Sequence, residues 1–296
     1  MHDARFDDAL GRYVYLTLDG VEHRVYFEES GTGDVGLLLQ HTAGADGRQW
    51  RHMLEDAGLK ERFRMVAYDL PYHGKSVPPL GRSWWTEEYR LTRDFLMAVP
   101  ISLARALGLE RPVYMGSSIG GHLAIDLALS HPREFRAVVG LEASAYTPGG
   151  FVDEFNHPRI GNDFKAHLMY GMMAPTSPEA LRRETAWVYS QGAPAVFKGD
   201  LYYYSVDHDV RNTAARIDTD VCSVDILNGE YDWSGTPEAG EELAAMIPGA
   251  RYKTMEGLGH FPMSEDPERF LAEIRPVLER ILAVGSSKTS AATESP

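Results

Sequence analysis

The chain has one cysteine, Cys222, in 296 residues, which excludes an intramolecular disulfide framework and any multi-cysteine metal or iron–sulfur site. No uninterrupted apolar run approaches the roughly 20 residues of a membrane span. Basic side chains are scarce and scattered, 29 Lys and Arg against 43 Asp and Glu, for a formal net charge of −14. Without clustered Lys and Arg there is no footprint for nucleic acid, and an anionic membrane surface is disfavoured on the same ground. Residues Met1 to Leu10 carry Asp3, Asp7 and Asp8 and no apolar h-region, so no signal peptide is expected. No H-E-x-x-H or comparable ligand spacing supports a catalytic zinc. Gly31-Thr32-Gly33-Asp34-Val35-Gly36 fits G-x-G-x-x-G, but it leads into a strand, whereas a dinucleotide fingerprint opens a helix. What is present is ordinary globular composition, 44% hydrophobic and 24% charged, enough for a sizeable core. A soluble, cytoplasmic protein is expected, with no metal and no cofactor.

Strand and helix signals alternate along most of the chain. Tyr13 to Leu18 and Val21 to Glu28 flank the turn signal Asp19-Gly20 and read as a hairpin. Strands follow at Val35 to Gln40, Arg64 to Tyr68, Pro112 to Met115, Ala137 to Leu141, Cys222 to Leu227 and Arg251 to Met255. Between them lie helical patterns at Arg48 to Phe63, Glu87 to Leu107 (broken or kinked at Pro100), Ile119 to Leu129, Pro237 to Met246 and Pro267 to Leu282. Such alternation after a hairpin predicts a mostly parallel sheet with helices on both faces. Residues 146–216 break the rhythm with five prolines and helix-length pieces, too long for a bare loop, and read as an inserted helical cap. The core is therefore expected over 1–145 and 217–284. The Ser/Thr/Ala-rich stretch 285–296 is expected to be a disordered tail.

Gly116-Ser117-Ser118-Ile119-Gly120-Gly121 lies between a strand and a helix, the context a G-x-S-x-G nucleophile elbow requires. A sharp turn there lifts the Ser118 hydroxyl above the sheet, and glycines stand where a Cβ would collide. The helix N-terminus and the Ile119 N–H then favour a developing oxyanion. Among eleven histidines, His260 in Gly259-His260 follows the last strand at its carboxyl end, where α/β active sites collect. Asp232, just past the preceding strand, is the expected orienter of the imidazole, with Glu142 and Glu230 as rivals. The second oxyanion donor is expected from the loop His41-Thr42-Ala43-Gly44-Ala45, with Ala43 as the donor and the His41 and Thr42 side chains holding the turn.

These pieces, with Asp69-Leu70-Pro71-Tyr72-His73-Gly74-Lys75-Ser76 and Gly229-Glu230-Tyr231-Asp232, resemble the α/β-hydrolase superfamily, in family order from about Tyr13 to Leu282. The resemblance is to its capped, cofactor-free, serine-dependent members. It implies an α/β-hydrolase fold: a mostly parallel eight-stranded sheet flanked by helices, with an inserted helical cap. Two positions depart from the family pattern, Thr42 and Tyr72, both glycine in its usual members. A serine in the elbow points away from haloalkane dehalogenases and epoxide hydrolases, whose nucleophile is a carboxylate.

The expected activity is hydrolysis of a carboxylic ester of a small, apolar or aromatic substrate by a Ser118–His260–Asp232 triad. Carbon–carbon bond hydrolysis of a ring-fission product and lactone or thioester hydrolysis share that chemistry and stay open. So does a hydrolase-fold receptor that binds without turnover. Residues 146–216 hold 11 of the 31 aromatics, which favours an apolar pocket, with Trp187, Tyr203 and Met172 as lining candidates. The segment is close to neutral, so Arg159, Lys165, Arg182, Arg183, Lys198 or Arg211 could serve a substrate carboxylate. Trp84-Trp85 and Tyr202-Tyr203-Tyr204 read as packing. Oligomeric state is not legible, and a homodimer is compatible with the sequence.

Overall fold

The computed structural model describes residues 6–293, with side chains as far as Ala283. The hairpin forms as expected. Strands β1 (Leu10–Leu18) and β2 (Val21–Ser30) pair antiparallel with Leu18 opposite Val21. Asp19 and Gly20 both take positive φ, 49° and 74°, which is what a two-residue turn matching strand twist demands. The continuous apolar run of β3 (Val35–Gln40) is buried on both faces, as a central parallel strand must be. With β4 (Phe63–Tyr68), β5 (Val113–Ser117), β6 (Ala137–Leu141), β7 (Ser223–Gly229) and β8 (Arg251–Met255) it completes one eight-stranded sheet of order β1-β2-β4-β3-β5-β6-β7-β8. Only the β1–β2 and β2–β4 pairs are antiparallel.

Two helical boundaries differ from the sequence expectation. The pattern over Arg48 to Phe63 is not one helix but a 3-10 turn, α1 (Arg51–Glu55) and α2 (Ala57–Arg62). Asp56 breaks it, because its carboxylate accepts the Leu59 N–H and caps the second helix. The helix expected from Glu87 starts later, as α3 (Arg93–Ala106), with Pro100 inside it. The preceding residues are drawn away by the Leu91 N–H bond to the Gly199 carbonyl. Then follow α4 (Ile119–Ser130) and, between β6 and β7, the helical insertion with α5 (Asp163–Gly171), α6 (Glu179–Gln191) and α7 (Pro194–Tyr202), the last widening into a π turn at Tyr203–Asp207. The chain closes with α8 (Pro237–Met246), α9 (Pro262–Glu265) and α10 (Pro267–Thr293).

One face of the sheet packs on α1, α2 and α10 through Trp50, Phe63, Phe270 and Ile274. On the other face the core of α3 and α4 runs without a break into the insertion, through Met169, Tyr189, Phe197 and Tyr203. The backbone of α10 continues as helix to Thr293, where a disordered tail was expected from 285; residues 294–296 lie outside the described ones. Trp84 and Trp85 are 41% and 66% exposed, so the pair packs edge to face with one another at the surface and not in the core. Among the described residues no helix is long and apolar enough to cross a membrane.

Candidate active site

The elbow is strained as its sequence requires. Ser118 stands between β5 and α4 at φ 58°, ψ −113°, a conformation that costs a non-glycine residue about 1–3 kcal/mol. It is held there by its N–H bond to the Leu141 carbonyl and by the His122 N–H on its own carbonyl, both 2.9 Å. A Cβ on Gly116 would lie 2.7 Å from the Gly120 backbone, and one on Gly121 2.0 Å from the Leu141 oxygen. Only glycine lets strand and helix approach this closely.

Three neighbouring strand ends supply the rest. Asp232, beyond β7, accepts from His260 Nδ1 at 2.6 Å through Oδ2 and from the Ser234 N–H at 2.8 Å through Oδ1. Burial alone would raise the Asp232 carboxyl, but the His260 imidazole and further hydrogen bonds outweigh it and hold the group below its ordinary value. Of the rival acids, Glu230 is exposed and accepts the Gly257 N–H, fixing a turn. Glu142, at the end of β6, is fully buried at φ 56° and accepts the Gly229 N–H at 2.9 Å. Burial, and then the charge of Asp232, push its carboxyl well above the ordinary value.

His260 is fixed through its main chain. Its N–H donates to the Met172 carbonyl at 3.1 Å, and a Cβ on Gly259 would lie 2.6 Å from both Met172 O and Ala174 N. The buried Glu265 carboxylate accepts from Gly259 N, Phe261 N, Ala174 N and Ser177 Oγ. It thus ties the histidine loop to the insertion. No hydrogen bond joins Ser118 Oγ to His260 Nε2; such links are often loose without substrate and tighten with it.

The loop after β3 comes to the same end of the sheet. His41 is buried and lowered to about 4, mainly by desolvation, so it is neutral at pH 7. Its Nδ1 meets the Thr42 carbonyl at 2.8 Å and its Nε2 accepts the Leu70 N–H at 3.0 Å. Gln49 Oε1 accepts both the N–H and the hydroxyl of Thr42. The His41 and Thr42 side chains therefore hold the turn. The Ala43 and Ile119 amides make no hydrogen bond to another described residue, and both residues are buried. Tyr72, where the family has glycine, takes φ 75° and packs its ring on Tyr89 and Trp84.

The lining candidates fall in different places. Met172 is buried beside His260. Tyr203 is fully buried, but its hydroxyl is spent on Asp126 of α4 at 2.8 Å. Trp187 is 57% exposed beneath the Arg48 guanidinium, so it is a surface residue and not a lining one. Of the six basic candidates, Arg182 and Arg183 pair with Glu179, Arg211 with Asp209, and Lys198 with Glu88 and Asp153. Arg159 is exposed. Lys165 alone of the six is buried on a neutral partner, the Gly192 carbonyl at 2.8 Å, and burial lowers it to about 8. An aromatic cleft of about 770 Å³ at Trp84, Trp85, Tyr72 and Phe95 is not lined by Ser118 or His260. Among the described residues no cluster could hold a metal ion.

Sequence reasoning missed Glu265 and Asp200. Glu265 carried only a faint signal, the first of a run of charged residues closing Phe261-Pro262-Met263-Ser264. Asp200, two residues after Lys198 in Phe197-Lys198-Gly199-Asp200-Leu201, carried none.

The fold agrees with comparison to known proteins. Residues 37–273 match the model of the alpha/beta hydrolase family, and the chain belongs to that family. The chain is 31% identical over 151 residues to 2-hydroxy-6-oxononadienedioate/2-hydroxy-6-oxononatrienedioate hydrolase of Burkholderia vietnamiensis, covering 49% of each chain. The chain thus spans about half the length of that curated relative. Over 265 residues it is 25% identical to a pimeloyl-[acyl-carrier protein] methyl ester esterase of Yersinia enterocolitica, covering 83% of this chain and 94% of the other. A thermophilic esterase of Thermogutta terrifontis superposes with a TM-score of 0.77 at 22% identity, covering 91% of this chain and 99% of that one; at that identity the likeness is one of fold.

Proposed function

We propose that the chain is a serine hydrolase cleaving a carboxylic ester of a small, largely apolar or aromatic substrate. The observation that carries this reading is the 2.6 Å bond from His260 Nδ1 to the buried Asp232, at the same strand ends that present Ser118 on its strained elbow. Asp232 orients the imidazole and stabilises its cation while His260 takes the Ser118 proton as the hydroxyl attacks the carbonyl carbon. The negative oxygen settles between the Ala43 and Ile119 amides. His260 returns the proton to the leaving alcohol, and water, activated by the same imidazole, resolves the acyl-enzyme. In this reading the insertion between β6 and β7 is a cap over the site, and no cofactor takes part.

The pairing of the site with a neutral, aromatic-rich cap supports an apolar ester. Likeness to the Burkholderia hydrolase, which by its name acts on an oxo-dienedioate, favours a second reading, carbon–carbon cleavage of a ring-fission product. Buried Lys165 would suit a carboxylate of such a substrate. The experiment is turnover of p-nitrophenyl butyrate and of a ring-fission dienoate by the wild type and Ser118→Ala. Ester turnover lost in the variant supports the proposal. A preference for the dienoate selects the second reading, and undiminished turnover by Ser118→Ala overturns both.

A further inference from the structure

The loop that presents Ala43 is held from two sides, and one of them is the cap. From the core it is fixed at Thr42 and His41, as described above. The next peptide, between Ala43 and Gly44, has no such support. Gly44 takes φ 63°, so the backbone there is free to turn in ways other residues resist. Its N–H is caught instead by Asp200 of α7 at 2.7 Å. Three further contacts from the cap converge on the same loop. The Tyr189 hydroxyl bonds the Thr42 hydroxyl. The Phe197 ring lies 2.7 Å from where a Gly44 Cβ would stand. A Cβ on Gly192 would be 2.3 Å from the Gly44 carbonyl oxygen.

Asp200 gathers further donors there. Its Oδ2 also receives His73 Nε2 at 2.7 Å, and its Oδ1 the Tyr89 hydroxyl at 3.3 Å. His73 meets the Pro71 carbonyl through its other ring nitrogen at 2.9 Å, so both nitrogens face acceptors, the arrangement of an imidazolium. One fully buried carboxylate thus joins the cap, the Asp69 loop and the oxyanion loop. A buried acid–base pair with two more donors on its acid is a device of position, since the net contribution of such pairs to stability is small.

We propose that Asp200, with Tyr189, is a positioning residue for the oxyanion hole. The cap sets the Ala43–Gly44 peptide, and the hole is complete only when the cap is seated. The proposal rests on the serine-hydrolase reading. It also accounts for Thr42 in place of the family's glycine, because that hydroxyl is the handle for Tyr189.

Four full-length proteins decide it: wild type, Asp200→Ala, Asp200→Asn and Tyr189→Phe. Each is measured for kcat and KM on p-nitrophenyl butyrate and for affinity to phenylboronic acid, whose tetrahedral adduct on Ser118 places an oxygen in the hole. Labelling of Ser118 by a fluorophosphonate in the wild type checks the underlying reading separately. Asp200→Ala is expected to lower kcat by about tenfold to a hundredfold, part of what losing one oxyanion donor costs, with KM nearly unchanged. Boronate affinity should fall by a similar factor. Asp200→Asn, which keeps an acceptor for Gly44 N–H, should recover most of the loss, and Tyr189→Phe should show a smaller loss in the same sense. Unchanged kcat and boronate affinity in Asp200→Ala, or a loss confined to KM, overturns the proposal. Should Asp200→Ala fail to fold, unchanged values in Tyr189→Phe overturn it. A wild type that turns over ester without an accessible Ser118 sinks the serine reading instead.

Discussion

The buried carboxyls of Glu142 and Asp232, at the ends of β6 and β7, act on one another: burial and the Asp232 charge push Glu142 up, while the His260 imidazole holds Asp232 down. The two acids are thereby driven apart in acidity, since like charges in one buried site disfavour each other.

The first prediction follows from that division. Glu142 is raised above its ordinary value, so the native state holds its proton at pH values where the unfolded chain has released it. Stability then falls as pH rises from the ordinary value of 4.5 toward the raised one. Glu142→Gln keeps an acceptor for the Gly229 N–H but ionises in neither state. Its melting temperature should exceed that of the wild type at pH 8, and the gap should narrow toward pH 4.5. Equal pH slopes for the two proteins in thermal unfolding would show that Glu142 is not held neutral.

Asp232→Asn should fold normally and lose about 10³–10⁴ in kcat, because an amide cannot stabilise the imidazolium and misassigns its tautomer. The measurement is steady-state turnover with circular dichroism as the control. A loss below tenfold would mean that Glu142 takes over as the partner of His260.

Gly116→Ala should destabilise the protein by about 3 kcal/mol, the scale of forced overpacking, because the new methyl meets backbone that has no rotamer to yield. Urea unfolding should show a lower midpoint with an unchanged slope. A stability equal to the wild type would mean that the strand and α4 can separate at no cost.

Cys222 is buried just before β7, and desolvation pushes its thiol up to about 12. The folded protein should therefore resist Ellman's reagent at pH 8 and react with one equivalent in guanidinium chloride. Rapid reaction of the native form would contradict the buried thiol.

What was legible in the sequence is what local rules control. Asp19-Gly20 can do little but turn, Val35 to Gln40 is too apolar for an edge, and the glycines around Ser118 announce a close crossing. The break at Asp56 was less visible, since an acid in an amphipathic pattern reads equally as a solvated face or as a cap. Asp200 and Glu265 were illegible as site residues because their partners are remote in sequence: Gly44 is 156 residues from Asp200, and Ala174 91 from Glu265. Trp187 misled for the reverse reason. An aromatic in a helical insertion suggests a pocket, yet its position on α6 turns it to solvent.

The insertion is fastened at a second point besides His73–Asp200, by His208 Nδ1 on Asp126 Oδ2 at 2.8 Å, both side chains fully buried and shared with the Tyr203 hydroxyl. In each pair one member belongs to the core and the other to the insertion. Anyone grafting the corresponding segment of another member of the family onto this scaffold would therefore strand His73 and Asp126 without these partners. The donor segment would have to bring an acid for one and a base for the other, or the host would have to surrender both residues with it.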